Sequence, residues 1–149
     1  MTRDEKTVAQ IFQNYVDSFQ TLRPLNVTPY CDVPCLFISA HGVYSMGDEK
    51  ALAVVIGRLM ESLKSSGFLR SELTDVHVNQ MSDNITVVSA RRIRYRQDGH
   101  ELERMGETYT FRKVDGDWKI VMAVTHDSDR LLQLVNHCHP ANCNPPGAP

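Results

Sequence analysis

Apolar side chains recur with helical spacing in two segments of the N-terminal half. In the first segment, side chains at the spacing i, i+3, i+4, i+7 form one apolar stripe of a predicted helix: Val8, Ile11, Phe12, Tyr15, Val16 and Phe19. Thr2 and Glu5 precede it in the form of a capping box, in which a hydroxyl and a carboxylate satisfy free backbone amides. A second stripe predicts a helix from about Asp48 to Ser65 that ends at Gly67. Each helix has one apolar face and therefore needs a broad surface to pack against.

After the second helix the pattern becomes extended, with four runs rich in Val, Ile, Thr, Tyr and Phe. The predicted strands cover Leu73 to Met81, Ile85 to Arg96, Glu101 to Lys113 and Trp118 to Thr125. Ser-Asp-Asn, Gln-Asp-Gly-His and Asp-Gly-Asp separate these runs, and Asp-Gly supplies the positive φ angles of tight hairpin turns. The second half of the chain therefore predicts an antiparallel meander.

The order of elements predicts an α+β fold, in which N-terminal helices pack on one face of a strongly curved antiparallel β-sheet. Two shorter strands, Cys35 to Ser39 and Val43 with Tyr44, flank the turn Ala40-His41-Gly42 between the helices. No repeat or linker divides the chain, so we expect a single domain over residues 1–136. A short last helix is expected through Leu131, Leu132 and Val135, capped by Asp127 or Ser128. We expect residues 137–149 to form a flexible tail.

Composition and charge exclude several classes of function. The 149 residues are 42% hydrophobic and 23% charged, which is typical of one globular domain. Sixteen basic and 18 acidic residues give a net charge of −2, so the chain lacks the basic surface that nucleic acids or anionic membranes attract. No apolar run has the length of a signal peptide or of a membrane span. We expect a cytoplasmic protein with no nucleic-acid or membrane partner.

The cysteines and histidines do not predict a metal site. Four cysteines are expected to be free thiols in a reducing compartment: Cys31, Cys35, Cys138 and Cys143. The tail has enough soft ligands for zinc in His137, Cys138, His139 and Cys143, but their spacing is not that of a familiar zinc finger. The sequence has no glycine-rich phosphate loop, no His-Glu-x-x-His pair and no Gly-x-Ser-x-Gly elbow. We therefore expect neither a metal nor a cofactor.

The turn before the last predicted strand and the start of that strand read Asp115-Gly116-Asp117-Trp118-Lys119-Ile120-Val121. This stretch and the order of elements resemble the nuclear transport factor 2-like superfamily, including its SnoaL-like polyketide cyclases, whose members commonly end with a Gly-x-Trp-Lys/Arg-Ile strand. The resemblance covers roughly residues 3 to 127. It implies a cystatin-like cone with an apolar pocket, and a homodimer through the outer faces of the sheets. The superfamily contains isomerases, cyclases, dehydratases, epoxide hydrolases and non-catalytic binders, so the fold does not determine the function.

The residues of the last strand also favour a homodimer. Alternation along the strand turns Val121, Ala123 and Thr125 to one face. The opposite face carries a second apolar set, formed by Trp118, Ile120, Met122 and Val124. The helices can cover one apolar face, and the other then needs a partner.

His126 and Asp127 close this strand and are the first pair of candidate catalytic residues. By alternation His126 continues the Trp118–Val124 face, where an imidazole can move protons near neutral pH. The resemblance implies a late-strand carboxylate as the base in the cyclases, and Asp127 lies near that position. The favoured alternative is structural, with Asp127 capping the last helix and His126 hydrogen-bonded at the rim of the pocket.

Glu107 and Tyr109 are the second candidate pair, on the same face of the preceding strand as Phe111 and Met105. In an apolar cone, desolvation raises the pKa of a carboxylic acid, and a tyrosine hydroxyl can polarise a carbonyl. The simpler interpretation makes Tyr109 a core residue and Glu107 the partner of an arginine on a neighbouring strand.

Five further residues are expected to line the pocket: Trp118, Met122, Phe111, Arg91 and His41. Arg91 is the candidate for binding an anion, since it shares its face with Ile93 and Tyr95. Cross-strand ion pairs with the glutamates of the next strand account more simply for Arg92, Arg94 and Arg96 than nucleic-acid binding does. His41 can reach the mouth of the pocket, although a histidine in a turn is usually only solvated.

These features predict a small-molecule-binding protein for an apolar or carbonyl-containing ligand. If it is an enzyme, cofactor-free acid–base chemistry of the isomerase, cyclase, dehydratase or epoxide hydrolase type is expected. The alternative is a non-catalytic binding or interaction module with the same fold. A carboxylate or histidine beside a tyrosine inside the pocket would favour catalysis, whereas a wholly apolar pocket would favour binding alone.

Overall fold

The computed structural model describes residues 1–133, which form two long helices and six strands. The helices are α1 (Arg3–Ser18) and α2 (Glu49–Ser65), and three short 3₁₀ turns, Phe19–Thr21, Pro24–Asn26 and Thr28–Tyr30, follow α1. The strands are β1 (Cys31–Ser39), β2 (Gly42–Met46), β3 (Phe68–Ser82), β4 (Ile85–Arg96), β5 (Glu101–Val114) and β6 (Asp117–His126). The two long helices and the six strands that the sequence predicts are confirmed, with β1 and β3 beginning earlier than the sequence indicated.

The ends of the helices form as their sequences predict. At the start of α1, the Thr2 hydroxyl accepts a hydrogen bond from the Glu5 amide at 3.1 Å, and the Glu5 carboxylate accepts one from the Thr2 amide at 2.9 Å. The Asp48 carboxylate caps α2 by accepting from the Ala51 amide at 2.7 Å. Gly67 follows α2 with a φ of +77°, which a residue without Cβ adopts readily.

The six strands form one mixed sheet in the order β2-β1-β6-β5-β4-β3. Strands β3 to β6 are the predicted antiparallel meander, but β1 runs parallel to β6. The predicted fold class, helices packed on one face of a strongly curved sheet, is confirmed, but the sheet is mixed rather than antiparallel throughout because of this pair. Hairpin signals constrain only consecutive strands, and no tight turn in the sequence joins β1 to β6.

The helices cover the concave face of the curved sheet and form the core with it. Phe12 of α1 packs against Tyr109 and Phe111 of β5, with ring centroids 5.1 and 6.3 Å apart. Leu52, Ile56, Met60 and Leu63 of α2 are buried in the same core. Register irregularities in the β3–β4, β4–β5 and β5–β6 pairs accompany the curvature, since an extra residue bends and twists a strand.

A bulge at Val121 changes which side chains of β6 face the helices. Phe111 pairs with Ile120 and Thr110 pairs with Met122, so Val121 has no cross-strand partner. Trp118, Ile120, Ala123 and Thr125 therefore share the concave face, whereas Met122, Val124 and His126 lie on the outer face. The prediction of one continuous Trp118–His126 face is wrong, because simple alternation takes no account of a bulge.

The chain after β6 lies across the outer face and forms no helix within residues 127–133. The Leu132 amide donates a hydrogen bond to the Ser89 hydroxyl at 3.0 Å, and Arg91 Nε donates one to the Ser128 carbonyl at 3.0 Å. The expected helix through Leu131 and Leu132 is therefore absent there, because backbone groups of this segment bond to β4 side chains. Val135 and the tail at 137–149 lie outside the described residues. Within the described part, no helix is both long and apolar enough to cross a membrane.

Gly106 allows β5 and the end of β6 to approach each other closely. A Cβ atom at this position would lie 2.5 Å from the His126 ring and 2.5 Å from the Asp127 carbonyl oxygen. We expect Gly106→Ala to lower the free energy of unfolding by about 1–3 kcal/mol, since the backbone of Asp127 and the His126 ring must move away from the added Cβ. Urea unfolding of this variant measures the effect.

Gly47→Ala is the matched control, because a Cβ there would meet no atom within 4 Å. We expect its free energy of unfolding to change by no more than about 0.5 kcal/mol. Equal stability of the two variants would contradict the close packing of Gly106 against His126.

Candidate functional site

A cavity of about 510 Å³ lies between the concave face of the sheet and the helices. Its volume is within the range of sites for small organic molecules. Residues of α1, α2, β1, β2, β4, β5 and β6 contribute to its lining, as does the turn after α1. Aromatic side chains make up much of the wall: Tyr15, Phe19, Phe37, Tyr44 and Tyr109.

Two ion pairs line the cavity between β4 and β5. Arg92 Nη1 lies 3.3 Å from Glu107 Oε1, and the two side chains are only 1% and 2% exposed. Arg94 donates to Glu103 at 2.6 Å, and the Glu103 side chain is 47% exposed. The cavity is therefore ionic along one side, with one pair fully buried and the other reaching the surface.

The buried pair leaves three polar atoms without a partner among residues 1–133. Arg92 Nε, Arg92 Nη2 and Glu107 Oε2 are all buried and make no hydrogen bond. The Arg92 guanidinium lies 5.2 Å from the ring centroid of Phe19 and 5.9 Å from that of Tyr15. Contact with aromatic rings compensates part of the lost hydration, but it does not replace the missing hydrogen bonds.

Two tyrosine hydroxyls meet beside this pair. Tyr15 Oη and Tyr109 Oη lie 3.2 Å apart, and burial raises the pKa of both phenols. Burial is the largest effect on Arg92 and opposes its charge, but the Glu107 carboxylate together with Tyr109, Tyr15 and Glu103 raises the pKa of the guanidinium above its usual value. The site therefore holds a permanent cation and two protonated hydroxyl groups.

The structure brings only some of the predicted site residues to the cavity. Glu107, Tyr109 and His41 line it. Phe111 and Trp118 are buried in the core instead, and the Trp118 indole donates to Asp4 at 3.4 Å. The other four predicted residues are not among its lining residues: Arg91, Met122, His126 and Asp127.

His126 is held in a hydrogen-bond chain on the outer face. Its Nδ1 lies 3.0 Å from the Asp127 carbonyl, which can only accept, so Nδ1 carries the proton. In the neutral tautomer with this proton, Nε2 can accept from the Thr108 hydroxyl at 2.8 Å, and Thr108 can accept from the Ser89 hydroxyl at 3.0 Å. This arrangement fixes the imidazole against the sheet, away from the cavity.

Arg91 also lies on the outer face, where it forms an ion pair with Asp75. Sequence alternation placed Arg91 on one face of β4 and Arg92 on the other, but did not show which face the helices cover. One feature of the sequence indicates that Arg92 faces the interior: the apolar residues Val88 and Ala90 precede it on the same face of β4. Both are fully buried in the structure. An arginine that continues a buried face needs a partner, and Glu107 provides it.

Possible metal ligands do not converge in the described part of the chain. Within residues 1–133, no three His, Cys, Asp or Glu side chains form a cluster that could hold a metal ion. Cys31 and Cys35 are free thiols, and Cys35 is buried. The other candidate ligands, His137, Cys138, His139 and Cys143, lie outside the described residues.

Solved structures with the same fold are numerous. The chain superimposes on Aln2 from a Streptomyces species with a TM-score of 0.71 and 14% identity, over 87% of this chain and 94% of that one. An NTF2-like protein with a cystatin-like fold from Novosphingobium aromaticivorans gives a TM-score of 0.69 and 14% identity, over 85% and 82% of the two chains. A protein of unknown function with a cystatin-like fold from Nostoc punctiforme gives a TM-score of 0.69 and 10% identity, over 85% of this chain and 92% of that one. At these identities the likeness shows the fold alone.

Sequence comparison gives the family. No functionally curated protein matches the chain in sequence. A family model described as "NTF2-like protein (DUF6841)" matches residues 4–128, which include both helices and all six strands apart from the first residue of α1. The predicted resemblance to the nuclear transport factor 2-like superfamily is confirmed, and the chain belongs to the NTF2-like family that this model defines.

Proposed function

We propose that the protein binds a small organic molecule in the cavity between the helices and the sheet. The observation that carries the proposal is the buried Arg92–Glu107 pair, which lines the cavity while three of its polar atoms lack a partner among residues 1–133. A polar ligand group that enters the cavity supplies those hydrogen bonds, and the aromatic wall accommodates an apolar body. A cytoplasmic location stays a prediction from the sequence.

Blocking the cavity tests this proposal. Thr125 lines the cavity and is exposed, so Thr125→Trp introduces a bulky ring at its mouth with little effect on the core. Asp117→Trp is the control, on an exposed position of the same strand outside the cavity. Ligand-observed NMR with 2-naphthoate and 2-naphthamide reports binding by each variant.

We expect the wild type and Asp117→Trp to bind at least one of these bicyclic probes and Thr125→Trp to bind neither. Equal binding by all three proteins would place the site elsewhere. Absence of binding to the wild type would contradict the proposal itself.

A second candidate function is cofactor-free acid–base catalysis in the same cavity. A carboxylate lies beside a tyrosine inside the pocket, which is the arrangement that favours catalysis over binding alone. Glu107 Oε2 is free to accept a proton from an acidic carbon, and the Tyr109 hydroxyl can donate a hydrogen bond to the oxygen that becomes negative. The reaction class is therefore proton abstraction next to a carbonyl.

Exchange of carbon-bound hydrogen tests the catalytic candidate. The probe is 2-tetralone in D₂O, whose α-hydrogens are followed by proton NMR. We expect the wild type to accelerate exchange and Glu107→Gln to lower the rate by about 10²-fold or more, the usual contribution of a general base. Glu103→Gln removes a second carboxylate that lines the cavity and is expected to retain the wild-type rate. Equal rates in wild type and Glu107→Gln would exclude this role for Glu107.

We further propose that the protein forms a homodimer through the outer face of the sheet. Leu36 pairs with Met122, and Ile38 pairs with both Val124 and Val43, so five apolar side chains form a continuous strip there. Val43 is 63% exposed and Leu36 is 36% exposed. An apolar strip of this kind is typical of a surface covered by a partner.

Sedimentation velocity at micromolar concentration tests the dimer. We expect the wild type to sediment as a dimer and Val124→Glu as a monomer, because a charge in an apolar interface is costly to bury. Val54→Glu, at a position on α2 that is 45% exposed, is the control and is expected to remain dimeric. A monomeric wild type would refute the proposed interface.

A further inference from the structure

We propose that the ligand of this cavity is a carboxylate attached to an aromatic or alicyclic body, and that the Nε–Nη2 edge of Arg92 binds the carboxylate. This inference rests on the proposed function, because it names the ligand class of the same cavity. Three observations on the described residues carry it: the free edge of Arg92, the charge of the cavity and the rings around the guanidinium.

The free edge of Arg92 has the geometry of a carboxylate-binding fork. A guanidinium presents its Nε and Nη2 hydrogens on the same side, as two parallel donors that match the two oxygens of a carboxylate. Arg92 uses Nη1 to contact Glu107, while Nε and Nη2 have no partner among residues 1–133. A single carbonyl oxygen satisfies such an edge less fully than a carboxylate does.

The charge of the cavity favours an anion. Three arginines and two glutamates line it, and Arg92 and Arg94 are paired with Glu107 and Glu103. The remaining arginine, Arg58 on α2, has no carboxylate within 4.0 Å in the described part of the chain. One positive charge is therefore in excess, which attracts a monoanion and repels a cation.

The surroundings of the guanidinium favour a ring next to the carboxylate. Phe19 and Tyr15 lie against the Arg92 guanidinium, and both rings line the cavity. Farther along the cavity, Phe37, Tyr44 and Leu59 continue the apolar wall. A planar apolar body fits between such rings, and burying it supplies the affinity that the carboxylate alone does not.

A series of three probes tests the ligand class. The probes are 2-naphthoate, its neutral amide 2-naphthamide and the cation 2-naphthylmethylammonium, which share one ring system and differ in charge. Calorimetric titration at pH 7 measures their dissociation constants. We expect the carboxylate to bind about tenfold or more tightly than the amide, because hydrogen bonds to a charged group are stronger than those to a neutral one. We expect no detectable binding of the cation.

Variants then locate the preference. Arg92→Met combined with Glu107→Gln removes both buried charges, so that neither is left uncompensated in the core. We expect this double variant to lose the preference for the carboxylate over the amide. Arg58→Ala, at an exposed position, is expected to weaken the binding of 2-naphthoate severalfold and to leave the binding of 2-naphthamide unchanged. Lys64→Ala, on the same helix, is expected to change the affinity for neither probe.

The outcomes separate the ligand class from the proposed function. Equal affinity for carboxylate and amide, or an unchanged preference in the double variant, would overturn the ligand class while leaving a small-molecule site. If the double variant does not fold, the comparison of Arg58→Ala with Lys64→Ala tests the ligand class instead. A preference for the carboxylate that Arg58→Ala leaves unchanged would contradict the role of the excess positive charge. Failure of all three probes to bind the wild type would contradict both proposals.

Discussion

The burial of the Arg92–Glu107 pair is the interaction on which the candidate site depends. Removing two charges from water costs several kcal/mol for each ion, and mutual attraction repays this cost only when the remaining hydrogen bonds are made. Here one contact of 3.3 Å joins the pair, and three polar atoms remain without a partner in the described chain. A core built only for stability would place apolar side chains at these positions. The ligand proposed for the cavity would supply the hydrogen bonds that the pair lacks.

The geometry of the sheet decides which residues can contribute to this site. Cross-strand pairing puts Glu107 and Tyr109 opposite Thr125 and Ala123, on the face that the helices cover. The bulge at Val121 brings Ala123 and Thr125 to that face and turns His126 away from it. A single extra residue in β6 thus separates the carboxylate and tyrosine inside the cavity from the imidazole outside. The two predicted catalytic pairs are on opposite faces of the sheet, so they cannot act on one ligand.

Local patterns predicted much of the fold. The α1 stripe, the Thr2–Glu5 capping box and the Asp-Gly turns each act within a few residues, so the sequence carries their signal directly. The parallel pairing of β1 with β6 depends on contacts between residues about 85 apart, for which a single sequence gives no local signal. The site residues were predictable only where the strand is regular, because alternation is also a local pattern. Glu107 and Tyr109 follow from alternation on a regular stretch of β5, whereas His126 and Met122 were placed by alternation across a bulge.

The choice between Arg91 and Arg92 shows the limit of sequence patterns most clearly. Alternation separates the two side chains onto opposite faces, but only the packing of α1 shows which face is the interior. Arg92 lies against Phe19 and Tyr15, and Arg91 lies against Asp75 and Ser128. The anion-binding role that the sequence suggested for Arg91 is therefore proposed for Arg92 instead.

The proposed ligand site depends on whether the free edge of Arg92 receives a ligand inside the cavity. The most direct measurement is the ¹H–¹⁵N resonance of Arg92 Nε, assigned with an Arg92→Lys variant and followed during titration with 2-naphthoate. We expect this resonance to shift and its hydrogen to exchange more slowly with water as the ligand binds. If 2-naphthoate binds while the Arg92 Nε resonance stays unchanged, the carboxylate does not contact Arg92 and the proposed site is wrong.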